Sequence, residues 1–259
     1  MARIAFDPGE NGFSFGNYWE FDEVERQQFR NAVETRLNRL RDRGGAMFGG
    51  LAQFIARRAI GPIREKLEEG LEQGYGLCGG MSYTALDFFQ VGIPVSRLAE
   101  TSEQPVSGSR LRGYLWKRQL QSFFRDLDRF LLWMVQLNYI PSRWPFRGGP
   151  AWLANESRKE WAKLRQSIDD GKPIPLGLVR NSISIFDNHQ VLALGYEEDD
   201  EDTGIIYLYD PNCPGQESTI RVRFVGKVLE AEETCGGTQE LRGFFCEDYE
   251  FVDPGEALA

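Results

Sequence analysis

The chain is poorest in the side chains that enzyme chemistry uses most. It has one histidine, His189, and four cysteines, Cys78, Cys213, Cys235 and Cys246, with no CxxC pair among them. Any step that needs an imidazole must use His189. With no close-spaced ligand pair, a zinc site built from Cys78, His189, Asp210 and Cys213 is the weaker reading of those residues. Acidic residues outnumber basic ones, 39 to 30, for a net charge of −9. That leaves no basic footprint for nucleic acid or an anionic membrane surface. No apolar run approaches the length of a membrane span, and the opening MARIAFDPGE lacks the apolar stretch of a secretory leader. These absences predict a cytoplasmic protein whose cysteines are free thiols rather than a disulfide framework, with Cys235 and Cys246 either paired or simply buried. They leave the oligomeric state open.

What remains is enough to build a core, since apolar residues make up 41% of the 259 and aromatics 13%. The first part reads helical. Asp22-Glu23-Val24-Glu25 has capping-box spacing, and Phe29, Val33, Leu37 and Leu40 follow at helical intervals up to Gly44-Gly45. Met47 to Ile60 reads as a second helix ending at Gly61-Pro62. A third starts there and carries Ile63, Leu67 and Leu71. Met81, Ala85, Phe88 and Phe89 mark a helix just after Cys78, and 97–110 reads as a surface loop. The regular apolar stripe from Leu120 to Leu137 marks a long inserted helix within 97–150. The breaker cluster PSRWPFRGGP, 141–150, divides the chain into a helical part, 1–150, and a sheet part, 151–259, that together form one unit.

After a helix opened by Ser157-x-x-Glu160, the period becomes strand-like. The expected strands are Ile174–Val179, His189–Tyr196, Ile205–Asp210, Thr219–Val225 and Phe244–Val252. The acidic run Glu197–Asp202 reads as a solvated hairpin tip rather than a cation site. Helices followed by an antiparallel sheet make an α+β protein.

Cys78 follows Gly70, Gly74 and Gly76 and precedes a helical stripe, which sets it at a helix N-terminus. There, unpaired N–H groups and the helix dipole favour a thiolate, a prepared nucleophile. His189 opens its strand on a face with Val191, Ala193 and Gly195, small enough for the helix bearing the thiol to approach. If that strand pairs with Ile205–Asp210 around a Glu197–Gly204 loop, His189 lies opposite a residue between 210 and 212. Asp210 or Asn212 then orients the ring. Gln73, five residues before Cys78, could donate to an oxyanion together with the Cys78 N–H.

These residues carry a family resemblance. NHQVLALGY, Asn188–Tyr196, resembles the histidine strand of papain-like cysteine peptidases, N/D-H-x-V-x-A-x-G-Y, and Gln73-Gly74 is similar to the Gln-Gly ahead of their nucleophile. Cys78-Gly79, then Gly171-Lys172-Pro173-Ile174, His189 and Asp210-Pro211, resemble in order the bacteriocin-processing (double-glycine) peptidase branch. The likeness covers about 71–92 and 160–216. It implies a papain-like fold, with the nucleophile helix packed on an antiparallel sheet. It also implies Cys78 as nucleophile, His189 as general base and acid, Asp210 (or Asn212) as orienter and Gln73 in the oxyanion hole. The substrate would be a peptide or amide, with no cofactor and no metal. The same triad would serve an acyltransferase or transamidase, and a relative that lost activity would be a binding module. No GxxxxGK[ST] is present, so this is not the peptidase part of a transport ATPase.

Overall fold

The computed structural model describes residues 1–73, 76–98, 103–141, 148–235 and 237–258. The chain opens with strand β1, Ala2–Arg3, and a single helical turn α1, Pro8–Asn11, capped by Asp7. Helical backbone α2 runs from Glu23 to Gln73, followed by α3, Cys78–Gln90, α4, Arg110–Tyr139, and α5, Gly149–Asp169. The rest is strand: β2 Ile174–Val179, β3 His189–Asp200, β4 Thr203–Tyr209, β5 Glu217–Val225, β6 Val228–Glu233, β7 Gln239–Leu241 and β8 Gly243–Cys246, before a last turn α6, Gly255–Leu258. The architecture is α+β, with N-terminal helices packed on a curled antiparallel sheet.

The capping box at α2 is formed in both directions. Glu25 N–H donates to Asp22 Oδ1 (2.8 Å), and Asp22 N–H donates back to Glu25 Oε2 (3.2 Å). The three helices expected over this stretch are one helical segment, and neither Gly44-Gly45 nor Pro62 ends it. A straight helix of 51 residues would span about 75 Å. Yet Arg30 Nη2 donates to Glu68 Oε2 (2.8 Å) and Arg64 Nη2 to Glu34 Oε2 (2.6 Å), both pairs equidistant from residue 49. The two arms therefore lie side by side and antiparallel, and the segment folds back between them. Phe29, Val33 and Leu37 on one arm and Ile63, Leu67 and Leu71 on the other are buried in a common core. Burying that stripe holds Pro62 inside a helix, where local propensity alone would end one. The side chains of residues 40 and 42–57 and the residues at 74–75, 99–102, 142–147, 236 and 259 lie outside those described, so Leu40 of the expected stripe, Gly74 and most of the expected seam are not placed.

The sheet runs β7-β6-β5-β4-β3-β2-β8, and β1 pairs with β3, so the first residues of the helical part join the sheet. Its two faces are covered differently. Leu192 and Leu194 of β3 share a core with Met81, Ala85, Leu86 and Phe88 of α3. Val191 and Ala193 belong to a second core with Trp161, Leu164 and Ile168 of α5. The expectation that α3 lies on the His189–Val191–Ala193 face is thus corrected: α5 covers that face, and α3 takes the other.

Three strand expectations also change. β3 and β4 extend into the acidic run, leaving only residues 201–202 between them. Strands β6 and β7 were not expected, because VLEAEE alternates with glutamate on a solvent face. Phe244–Val252 is strand only as far as Cys246.

The cysteines are not all free. Cys213 and Cys235 form a disulfide with Cα atoms 5.8 Å apart, leaving Cys78 and Cys246 as thiols. The reason is register. The β5–β6 pairing, with Ile220 opposite Glu233 and Thr219 bonded to Thr234, brings the stretch after β6 beside the stretch before β5. The pairing removes the Cys213 ligand from the zinc reading, and with it the argument from cysteine usage for a reducing compartment. Among the described residues, no helix is long and apolar enough to cross a membrane.

Candidate active site

Cys78 is the first residue of α3, and Leu77 ahead of it offers no side-chain cap. The orphan N–H groups of that first turn are instead approached by α4, whose Gln119 accepts from the Gly80 N–H through Oε1 at 2.8 Å. The Gly79-Gly80 pair makes this crossing possible. A Cβ on Gly79 would lie 2.1 Å from Gln190 Oε1 and 2.2 Å from Ser122 Oγ, and one on Gly80 would lie 2.3 Å from the Leu115 carbonyl.

His189 stands at the first position of β3 and is buried. Its Nε2 is 2.7 Å from Asp210 Oδ1, and the Asn212 side-chain nitrogen lies 3.2 Å from the same ring atom. Leu192 pairs with Tyr209 and Ala193 with Leu208. Carried three residues on, that register sets Asn212 across from His189 and Asp210 on the diagonal, so both candidate orienters reach the ring. Asp210 Oδ1 also accepts from the Asn212 backbone N–H at 2.7 Å, a tight turn that fixes the carboxylate. Cys78 lies close enough to the ring for its sulfur to favour the charged imidazole, and both residues line the same cavity.

The electrostatics follow from that arrangement. Burial works against a charged His189. The charge and hydrogen bond of Asp210, together with Cys78, outweigh it and hold the imidazole well above its ordinary range. Burial likewise opposes an ionised Asp210, but His189, its hydrogen bonds and the Asn212 N–H keep the carboxyl well below the usual carboxylate range. The remaining thiol, Cys246, is buried, and that burial pushes its proton affinity far up.

A cavity of about 170 Å³ opens beside these groups. Cys78, His189, Gln190, Asn188, Asn212 and Gln119 form its polar side, and Phe21, Phe29, Phe123, Phe130, Ile185 and Phe186 its apolar side. Helix α4 is thus part of the wall, through Gln119, Phe123 and Phe130. Gln73 is exposed at the end of α2 and does not line this cavity; its carbonyl accepts from the Tyr18 hydroxyl at 3.4 Å. Gln119 escaped sequence reasoning because it lies within the long apolar stripe of α4, with nothing local to set it apart.

Glu233 is the other residue the sequence did not point to, one acid in the run EAEE. It is 1% exposed at the end of β6 and bonded through Oε2 to Arg180 Nη2 at 2.7 Å. Donor atoms of His189, Asp210 and Glu233 all lie within 4.8 Å of one another, a set that by residue type could hold a cation. One oxygen of each carboxylate is already engaged, however. Nε2 and Oδ1 bond each other, and the Arg180 guanidinium occupies the positive place beside Glu233. Burial and the hydrogen bond to Asp210 raise the Glu233 carboxyl, against the pull of His189 and Arg180, to about 7.

Comparison with known proteins finds no matching family model, no matching curated protein and no matching solved structure.

Proposed function

We propose that this protein is a papain-like, thiol-dependent acyl hydrolase that cleaves a peptide or amide bond. One observation carries the reading: the only imidazole in the chain bonds Asp210 and shares one cavity with the Cys78 sulfur at the start of α3, which favours its charged form. With Nε2–H donated to Asp210, Nδ1 is the nitrogen left to take the Cys78 proton. The thiolate attacks the carbonyl carbon, and the electron pair of the C=O bond moves to oxygen. Imidazolium then gives its proton to the departing amine as the C–N bond breaks, leaving a thioester. Water, deprotonated by the same ring, releases the acid and the thiol.

For the oxyanion, the backbone N–H of Cys78 is one donor. Gln119 is the better second donor, because it lines the cavity and its amide oxygen is already held by Gly80, which leaves Nε2 to face a ligand. The apolar wall offers room comparable to the roughly 150 Å³ that holds one benzene ring, enough for a single large side chain of the acyl part.

The test is the alkylation of Cys78 by iodoacetamide, followed by peptide mass mapping across pH, in the wild type and in His189→Ala. His189 is held charged above its ordinary range, so a positive charge stands beside the Cys78 sulfur through neutral pH. The wild-type thiol should therefore react at about pH 6, and His189→Ala should slow that reaction at least tenfold. Turnover of an activated acyl substrate such as a p-nitrophenyl ester should fall about 10²–10⁴-fold in the same variant. Cys246 should stay unlabelled in the folded protein and serves as the internal control. An ordinary alkaline labelling profile, unchanged by loss of His189, would leave the fold as a binding module and end the hydrolase reading.

A further inference from the structure

Asp210 and Glu233 leave two acceptor atoms unaccounted for. Asp210 Oδ1 takes the His189 ring and the Asn212 N–H, and Glu233 Oε2 takes Arg180. Asp210 Oδ2 and Glu233 Oε1 are both buried and, among the described residues, meet no N–H or O–H of any neighbour. They belong to the carboxyl groups whose donor atoms cluster within 4.8 Å around His189. Two buried carboxylates this close, with one guanidinium between them and solvent, cannot both carry a full charge at tolerable cost. A single proton between the two orphaned oxygens satisfies both at once.

We infer that Glu233, in its acid form, donates a hydrogen bond to Asp210 Oδ2 and so acts as the positioning residue of the Asp210–His189 pair. The site is then a relay of four side chains: Glu233 to Asp210 to His189 to Cys78. The titratable and charged groups facing Glu233 are Arg180 just past β2, Asp210 just past β4 and His189 at the start of β3. With Glu233 protonated, the carboxylate of Asp210 is anchored at both oxygens. When the proton leaves, the hydrogen bond becomes a repulsion between like charges. Asp210 loses one anchor, and the added negative charge makes the imidazolium a weaker acid toward a leaving amine. The midpoint of that change, about 7, sets the device to loosen the site as pH rises through neutrality. The inference deepens the proposed function by adding a control on its base, but its primary test reads His189 rather than turnover.

Because the chain has a single histidine, its ring ε1 carbon gives one unambiguous signal in a ¹³C-labelled sample. Followed over about pH 5.5 to 8.5 in the presence of EDTA, that signal should show a step with a midpoint of about 7 in the wild type. Glu233→Gln keeps a donor for Asp210 and an acceptor for Arg180 but cannot titrate, and it should abolish the step. Arg180→Met removes a charge that holds the Glu233 proton affinity down, and it should move the step to higher pH. Cys78 alkylation at about pH 6 should be within about twofold of wild type in Glu233→Gln and slower by about tenfold in Glu233→Leu, which has no donor.

Superimposable wild-type and Glu233→Gln titrations would overturn the inference. So would a wild-type step that EDTA removes, which would assign the cluster to a bound cation instead. If Glu233→Gln fails to fold, the Arg180→Met midpoint decides: an unmoved step overturns the assignment. Alkylation of Cys78 that ignores His189 would fail the hydrolase reading and leave this titration intact, so the two failures are distinguishable.

Discussion

Asp87 and Asp210 are both fully buried carboxylates beside a basic side chain, one near the far end of α3 and the other beside its start. Around Asp87 every acceptor is met. Oδ1 takes Arg118 Nη2 (3.0 Å), the Tyr249 hydroxyl (2.6 Å) and the Val252 N–H (3.2 Å), and Oδ2 takes the Tyr114 hydroxyl (2.9 Å) and forms an ion pair with Arg118 Nε at 2.7 Å. One guanidinium cancels the charge, and the bonds tie α3 to α4 and to the C-terminal segment. Around Asp210 one oxygen is doubly bonded and the other meets only a second carboxyl group. In the first cluster both carboxylate oxygens are met, which leaves it one state. The second is a proton short of closure and so has two. A buried polar network that is complete serves as a clamp, and one with a spare acceptor beside the only histidine is where chemistry can be adjusted.

The sharpest way to break this contrast is Arg118→Met, which strands a buried charge at Asp87. It should cost about 3–5 kcal/mol in urea unfolding while leaving the alkylation rate of Cys78 in the folded fraction unchanged. A clamp that also served catalysis would lose both together. Next comes the Cys213–Cys235 bridge, which closes a loop of 22 residues in sequence separation between the Asp210 turn and the residues after Glu233. The double serine variant should lose about 3 kcal/mol of stability by the loop-entropy argument. The smallest effect on folding, confined to the site end of α3, is expected at Gln119. Gln119→Ala should lower p-nitrophenyl ester turnover about 10²-fold and leave iodoacetamide alkylation alone, since alkylation develops no oxyanion. Gln73→Ala should change neither. The reverse ranking would return the oxyanion role to Gln73.

Much of the frame was legible because periodicity reports a buried face wherever that face is simple. The stripe of α4 and the strands at 174 and 189 are read from the spacing of apolar residues, and the start of α3 at Cys78 from the glycines before it and the stripe after it. α2 misled because glycines and Pro62 signal breaks locally, while a long shared core kept both arms helical. The side of β3 that α3 covers was misjudged because Val191 and Ala193 are as compatible with α5 as with α3. Size on one face does not say which helix arrives. Of the candidate site residues, Cys78, His189 and Asn212 line one cavity, Asp210 is buried and bonded to His189, and Gln73 lies outside the cavity.

The sequence by itself determined the inventory: one imidazole, a thiol at a helix start, an Asp-Pro-Asn turn within hairpin reach, and an α+β succession of elements. Those follow from residue identity and from spacings of a few residues, where chain geometry leaves few choices. Tertiary structure decided the rest. It chose Gln119 over Gln73 at the cavity, set Glu233 behind Asp210 and joined Cys213 to Cys235, because each depends on which strand or helix lies beside which. Neighbours brought together across 22 to 40 residues are selected by the fit of whole faces, and no local pattern encodes that fit.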